Sequence, residues 1–405
     1  MANGIVGSGE SDRGRAAEVF VAFLRLGLTS FGGPIAHLGY FREAFVVRRR
    51  WLDDHAYADL VALCQFLPGP TSSQVGFALG MMRAGWLGAF SAFIGFTLPS
   101  ALILLIFAQA APSIGGAAGM GALHGLKIVA VAIVAQAVWG MARSLCPDRE
   151  RSAIAIAAVI LLAFAPGSTG MLGAIALGAV AGLALGGADI KPAGSVAALP
   201  SSKWVSVISL SLFMALLLLL PLLAEQSQAL AVVDRFYRAG ALVFGGGHVV
   251  LPLLDAEVVR PGWVTHDAFL AGYGAAQAVP GPLFTFAAYL GAVLRPEPNG
   301  VAGAGLALLA IFLPGFLVLV GILPFWDQFR SKPVARSLMR GANAAVVGVL
   351  GAALYAPVFT SAIGDMRDFA LALAGFAALM KWQAPPWLVV VLSAAGGAGL
   401  AFWAG

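Results

Sequence analysis

Apolar residues occur along this chain in long runs separated by short polar stretches. Several runs, such as Trp86–Ala108, Trp204–Leu223 and Val301–Leu323, reach the roughly 17–25 residues that a helix needs to cross a bilayer. They lack the polar face that a helix of a soluble protein shows to water. We distinguish thirteen apolar segments, six in each half and one linker. The pattern predicts an all-α polytopic membrane protein.

The first two apolar segments of each half are interrupted by glycine and proline. In the first half, Phe31–Pro34 reads FGGP and Pro68–Pro70 reads PGP. The second half interrupts corresponding segments with FGGG at Phe244–Gly247 and PGP at Pro280–Pro282. Each interrupted segment either spans the membrane as a broken helix or returns to its own side as a re-entrant hairpin.

These interruptions belong to a longer internal repeat. The motif F-x-R-x-G-x-x-x-F-G-G occurs at Phe23–Gly33 and again 213 positions later at Phe236–Gly246. Further matches follow in the same order: Trp51–Pro70 with Trp263–Pro282, Phe96–Ser100 with Ile311–Gly315, and His124–Val134 with Arg340–Leu350. The sequence therefore predicts two homologous halves.

Composition narrows the class of protein. Hydrophobic residues make up 60% of the 405 residues and charged residues 11%, against about 25% charged residues in soluble domains. The net charge of +5 is small, and we expect no nucleic-acid partner. The two cysteines, Cys64 and Cys146, form no CxxC or Cys/His pattern. We expect no metal site, no cofactor and no cleaved signal peptide.

The basic residues predict opposite orientations for the two halves. Loop 111–121 has no charge, whereas its counterpart 326–340 has four basic residues; loop 143–151 is basic, whereas its counterpart 356–365 has none. Because basic loops stay in the cytoplasm, equivalent loops lie on opposite sides of the membrane. Inverted repeats of this kind are common in secondary transporters.

This orientation predicts the chain's organisation. We expect an N-terminal repeat at 1–203 after a short cytoplasmic tail, a linking helix at 204–224 and an inverted repeat at 225–405. The N-terminus is then cytoplasmic and the C-terminus periplasmic. Re-entrant hairpins are favoured over broken spans, because they place the arginines of 42–50 and Arg83 inside, as the rule for basic residues requires.

The broken segments are the candidate substrate site. Irregular backbone within a membrane is tolerated where it is buried in protein or lines a water-filled cavity, and transporters aim the resulting helix N-termini at anions. The candidate residues of the first half are Ser30, Phe31, Gly32, Gly33, Pro34, Gln65, Pro68, Gly69, Pro70, Thr71, Ser72, Ser73 and Gln74. Those of the second half are Phe244, Gly245, Gly246, Gly247, His248, Gln277, Pro280, Gly281, Pro282 and Thr285. Ordinary helix kinks are the structural alternative.

A few polar side chains add candidate chemistry. Arg25 and Arg238 recur in the repeat within apolar stretches; they are candidates to bind an anion or to snorkel to lipid headgroups. His37, Asp59 and Lys127 are candidates for ion coupling. An interfacial role is the alternative for His37 and Lys127.

At these motifs the sequence resembles the chromate ion transporter (CHR) superfamily in its long, two-domain form. The resemblance rests on FGGPIAHLGYF and WLDDHAYADLVALCQFLPGPTSSQ in the first half, and on VFGGGHVVLPLL and AAQAVPGPLFTFAAYLGA in the second. It implies a multi-pass transporter of the bacterial inner (plasma) membrane that exports chromate and confers chromate resistance. Sulfate is the tetrahedral analogue that would compete for the site.

Other functions stay open at this point. Sulfate or related oxyanion uptake, or an anion channel, is the nearest alternative. A membrane enzyme that reduces chromate would need a redox site, and the sequence indicates none. The expected partners are the oxyanion, the lipid bilayer and a second copy of the chain in a homodimer.

Overall fold

A computed structural model describes residues 12–184, 203–244, 247–326 and 332–404, and within these ranges the chain is helical and forms no strand. The first half and the linking helix comprise α1 (Asp12–Thr29), α2 (Gly33–Phe41), α3 (Asp54–Phe66), α4 (Thr71–Ala110), α5 (Gly116–Leu145), α6 (Arg149–Phe164), α7 (Ser168–Ala184) and α8 (Lys203–Leu223). The second half comprises α9 (Gln228–Ala241), α10 (Val250–Leu254), α11 (His266–Gln277), α12 (Phe286–Ala292), α13 (Gly300–Ile322), α14 (Pro333–Ala353), α15 (Thr360–Ala362), α16 (Met366–Met380) and α17 (Pro386–Ala404).

Five of the described helices are long and apolar enough to cross a membrane: α4, α5, α8, α13 and α14. The long α4 bends at Ala84 and Gly85, where the backbone leaves helical φ and ψ values. Two π-helical segments, Arg42–Arg48 and Asp255–Val259, extend α2 and α10. The all-α membrane architecture predicted from the apolar runs is confirmed.

The first half contains two re-entrant hairpins. Near the start of α1, Glu18 accepts a hydrogen bond from Arg83 at 2.9 Å and forms an ion pair with Arg49 at 3.5 Å. Arg83 ends the first part of α4, and Arg49 follows the return of α2. The chain therefore enters through α1 and returns through α2, then enters through α3 and returns through α4 to the same level. The hairpin prediction is confirmed.

The second half repeats this arrangement. Arg235 in α9 donates to the carbonyl oxygen of Glu257, on the returning segment, at 2.6 Å. The backbone N–H of Arg295, after α12, donates to the carbonyl oxygen of Trp263, before α11, at 2.9 Å. Here too, each hairpin begins and ends at one level.

The hairpins of the two halves start from opposite sides. Beyond its kink, α4 continues from Trp86 to Ala110, about 37 Å at 1.5 Å per residue. The first-half hairpins have their bases at the kink, beside Arg83. Asp267, at the base of a second-half hairpin, lines a cavity together with Ala108 at the other end of α4. Inverted topology follows directly from these positions.

Helix packing divides the molecule into two bodies, and each body contains elements of both halves. In the first, which we call the hairpin body, α1 and α12 lie along α4, and α9, α12 and α8 lie along α13. In the second, the panel, α5 contacts α16, α17 and α14, and α14 contacts α6 and α7. The two bodies meet where α11 contacts α5.

Candidate functional site

The tips of the hairpins meet inside the molecule and are joined by reciprocal backbone hydrogen bonds. The N–H of Gly69 donates to the carbonyl oxygen of Val243 at 2.8 Å, and the N–H of Gly281 donates to that of Ser30 at 2.9 Å. Each PGP glycine thus binds the residue just before the F-G-G motif of the other half. The bonds satisfy backbone groups that would otherwise be stranded in the membrane. These two amides are consequently used by the fold and are not free for a ligand.

Each PGP glycine also packs against a proline-containing stretch of the opposite half. A Cβ on Gly69 would lie 2.9 Å from the Cα of Gly315, and one on Gly281 would lie 2.8 Å from Oγ of Ser100. The side chain of Gln74 bridges this junction, because its Nε2 donates to the carbonyl oxygens of Pro68 and Gly315 at 2.9 Å each. Gln74 is therefore a residue that holds the tips together.

A histidine is buried behind the first-half tips. His37 has Nδ1 3.3 Å from Oγ of Ser72 and Nε2 3.2 Å from the carbonyl oxygen of Ser30. The hydroxyls of Ser30 and Ser73 are buried with no hydrogen-bond partner among the described residues. His37 and Ser72 thus link the two interrupted segments of the first half.

A cavity of about 260 Å³ lies where the tips meet the panel. The hairpin body contributes Gly32, His248 and Gln277, all three of which the sequence predicts as site residues. The panel contributes Ile133, Gln136, Leu379, Gln383, Ala384 and Pro386. The cavity therefore lies on the interface between the two bodies and is lined by residues of both halves.

Several hydrogen-bond donors lie at this cavity. Nε2 of Gln277 is buried and has no partner among the described residues. Gln136 and Gln383 are two further carboxamide side chains in the lining. His248 has Nδ1 2.8 Å from the hydroxyl of Tyr273, and its other ring nitrogen lies toward Gly33. An arrangement of amide donors without a lining arginine or lysine suits an anion that is bound through hydrogen bonds.

The N-terminus of helix α2 also lies at this cavity. Gly32 precedes the first residue of α2 and has φ +103°, a value that favours glycine. With its π-helical extension, the helix continues to Arg48. The positive end of its dipole lies at Gly32, and such an end attracts anions.

Several predicted residues lie elsewhere. The side chains of Arg25 and Gln65 are exposed. Arg238 forms ion pairs with Asp234 and with Glu257, the latter at 3.8 Å. Asp59 is buried in α3. Lys127 binds Asp267 at 2.9 Å, beside a different cavity.

The remaining candidates support the tips. Thr285 donates to the carbonyl oxygen of Pro282 at 2.7 Å, and Gly247 packs against the ring of Pro34. Phe31 lies 6.3 Å from Trp387 between ring centroids. Gly245 and Gly246 lie outside the described residues. Phe244, Thr71, Pro68, Pro70 and Pro280 occupy the interrupted stretches and are not among the residues that line the cavity.

Sequence reasoning missed Gln136, Gln383 and Tyr273. Gln136 is a single polar residue within the apolar run VAIVAQAVWG, and that isolation is a signal that could have identified it. Gln383 lies in the turn between α16 and α17, and only the packing of that turn against the tips brings it to the cavity. Tyr273 is notable only through its contact with His248.

No metal-binding group is evident in the part of the chain that the structure describes. Within those ranges, no three His, Cys, Asp or Glu side chains are placed to hold an ion together. Cys64 and Cys146 are both free thiols.

Comparison with known proteins points to one family. A family model described as "Chromate transporter" matches residues 17–183 and 230–399, one match in each half. The chain is 28% identical to a probable chromate transport protein of Synechococcus elongatus over 399 residues, which cover 94% of both chains. It is also 28% identical to a chromate transport protein of Pseudomonas aeruginosa over 413 residues, covering 94% of this chain and 91% of the relative. A chromate transport protein of Cupriavidus metallidurans is 27% identical over 377 residues, 90% of this chain and 88% of the relative. No solved structure matches the chain.

Proposed function

This chain belongs to the chromate transporter family, and from that premise we propose that it exports chromate from the bacterial cytoplasm and so confers chromate resistance. The observation that carries the proposal is the cavity at the hairpin tips, where Gln277 offers a buried amide donor that has no partner in the described part of the chain. A transporter of a dianion needs such donors to replace the water that the ion sheds on binding.

A site that binds the ion through hydrogen bonds alone can also release it, as transport requires. Gln136, Gln277 and Gln383, the helix N-terminus at Gly32 and the free ring nitrogen of His248 can each donate toward one small ion. We infer that the Tyr273 hydroxyl donates to Nδ1 of His248, which leaves the ring proton on Nε2. Since no lysine or arginine of the described residues lines the cavity, the ion is held without a fixed positive charge and can leave again.

The proposed orientation places this cavity on the cytoplasmic side. In helix α16, Asp368 contacts His124 at 2.9 Å near the start, and Leu379 lies in the cavity eleven residues later, about 16 Å away. With the N-terminus in the cytoplasm and the C-terminus in the periplasm, the His124 end of α16 is periplasmic. An interior-negative membrane potential favours efflux of a dianion by about 2.3 kcal/mol per charge per 100 mV.

Alternating access would occur between the hairpin body and the panel. The reciprocal bonds from Gly69 and Gly281 tie the two sequence halves together at their tips, so motion of one half against the other would break them. Sliding of α11 against α5 leaves those bonds intact.

His37 and Asp59 stay candidates for ion coupling, and the boundaries 1–203, 204–224 and 225–405 stay proposals. So do sulfate as a competing substrate and a homodimer.

Chromate accumulation in a sensitive bacterial host tests the proposal. Cells that make the wild-type protein are expected to accumulate less chromate than cells that make Gln277→Leu, with membrane insertion of both checked by immunoblot. Equal accumulation with the wild type and with empty vector would contradict export. Higher accumulation with the wild type, suppressed by external sulfate, would favour the alternative of oxyanion uptake.

A further inference from the structure

A second, larger cavity of about 450 Å³ lies between the outer ends of α4, α5, α11 and α12. Its lining comprises Ala108, Ala111, Pro112, Met120, Leu123, His124, Lys127, Asp267, Ala268, Ala271, Tyr289 and Val293. Most of these side chains are apolar. The exceptions are His124, Lys127 and Asp267.

Both cavities lie on the same interface between the hairpin body and the panel. In each, α5 contributes to the panel side and α11 to the other side: Gln136 and Gln277 line the first cavity, and Lys127 and Asp267 line the second. The part of α11 between Asp267 and Gln277 is in close contact with α5, since a Cβ on Gly274 would lie 2.2 Å from the carbonyl oxygen of Leu126. The helix contact that must move in alternating access therefore separates the two cavities.

Lys127 forms an ion pair with the carboxylate of Asp267, and a dissolved anion can take the place of that carboxylate. Its Nζ lies 2.9 Å from Oδ1 of Asp267, and its side chain is 16% exposed, whereas that of Asp267 is 74% exposed. The nearby His124 is bound to Asp368 at 2.9 Å. Lys127 is thus a mostly buried cation whose partner is in contact with solvent, so a dissolved anion can compete for it.

The positive charge of Lys127 has no counterpart at the equivalent position in the second half. Asn343 occupies the position that corresponds to Lys127 in the second half. The repeat therefore does not require a cation here for folding alone.

We propose that the second cavity is the release-side site for the oxyanion, where Lys127 binds the ion and Asp267 then displaces it. The proposal rests on the proposed function, because it assigns the far side of the same pathway. A carboxylate that competes with the ion for one ammonium group lowers the affinity of the ion at the exit. Release of the ion into the periplasm thereby becomes easier. The positive charge of Lys127, which attracts the ion from the first cavity, is kept.

Equilibrium dialysis of the purified protein against radiolabelled chromate tests this assignment independently of transport. Asp267→Asn removes the competitor and is expected to tighten binding at one site about tenfold, as for a released charge-assisted bond. Lys127→Gln, in the same Asp267→Asn background, is expected to abolish the gain. Lys203→Gln in that background, which removes an exposed lysine of α8, is the matched control and should preserve it.

A third variant separates this site from the first cavity. Gln277→Leu combined with Asp267→Asn should keep the tightened site, because Gln277 lies only in the first cavity. Unchanged or weaker binding by both Asp267→Asn and Asp267→Ala would overturn the assignment, as would a gain that persists without Lys127. Failure of the cellular accumulation test, with the tightened site present, would instead overturn export.

Discussion

The two glutamines that precede the PGP motifs show how one residue type acquires different surroundings in an inverted repeat. Gln65 is exposed, whereas Gln277 lines the first cavity with a buried Nε2 that none of the described residues binds. Gln383 and Ala384, in the turn after α16, line the same cavity as Gln277. Position in the motif alone would assign both glutamines the same role.

This pair supplies a matched test of the site. Gln277→Leu is expected to lower chromate transport roughly 10–100-fold, the loss of about 1.5–3 kcal/mol for a hydrogen bond to a charged group. Gln65→Leu should retain wild-type transport. Initial rates in inside-out vesicles, normalised to inserted protein, provide the comparison; equal losses in the two variants would contradict the site.

The two repeated arginines likewise differ in their environments. Arg25 is exposed on α1, whereas Arg238 is paired with Asp234 and Glu257, whose side chains are each 7% exposed. Both acids would lose a counter-charge if Arg238 were removed. Neither arginine is among the residues that line the first cavity in the part of the chain that the structure describes.

Arg238→Ala is expected to destabilise the protein by about 2–3 kcal/mol, less than for a fully buried pair because Arg238 is partly exposed. Asp234→Asn in the same chain should restore part of the loss, since it removes the unpaired charge. Arg25→Ala should melt like the wild type. Thermal unfolding in detergent is the measurement, and an unchanged melting temperature for Arg238→Ala would refute the account.

At the scale of elements, the hairpin tips depend on glycines that no other residue replaces without strain. Gly69 has φ +117° and Gly281 has φ +104°, and the space for a Cβ on each is occupied by the opposite half. Here the requirement for positive φ and the requirement for close packing coincide. The PGP motif is thus explained by an interlock between the halves.

Gly69→Ala and Gly281→Ala are each expected to cost about 2–5 kcal/mol, the sum of left-handed strain and steric overlap. Gly140→Ala in α5 is the matched control, because a Cβ there meets open space. Fluorescence-detected size exclusion after heating will rank the three. Equal stability of all three variants would show that the tips can relax around the added methyl group.

At the scale of the whole molecule, the sequence repeats are not the mechanical units. Hairpins from both halves pack together with α4 and α13, and the later helices of both halves form the panel. Both cavities lie between these bodies. A motion that opens one cavity and then the other therefore requires the bodies to move relative to each other.

Cross-links distinguish this motion from rocking of one repeat against the other. Ala132 of α5 and Gly375 of α16 come from different halves but share the panel, with 3.4 Å between Cβ positions, which suits a disulfide. A disulfide between Ala132→Cys and Gly375→Cys, with native cysteines replaced, should leave transport intact. Inactivation on oxidation, reversed by reductant, would favour rocking of the repeats.

A second cross-link joins the two bodies. Phe31→Cys and Trp387→Cys, whose native rings lie 6.3 Å apart, should block transport when treated with a short bismaleimide. A monofunctional maleimide on the same variant controls for modification alone. Equal transport after both reagents would contradict motion at this interface.

The sequence by itself determined the membrane class, the duplication and the inversion. Apolar run length, repeated motifs and basic loops carry this information locally, because the bilayer imposes helix length and the charge distribution imposes orientation. The hairpins were also predictable, because the rule for basic residues favours a return of the chain to the side that holds the arginines of 42–50.

Only the tertiary structure decided which candidates share a cavity. It brought Gly32, His248 and Gln277 together with Gln136 and Gln383, and it left Arg25 and Gln65 exposed. It also used the amides of Gly69 and Gly281 to join the halves. These outcomes depend on contacts between residues far apart in the chain. When two halves carry the same motif, nothing in the motif itself shows that its two copies will pack against different neighbours.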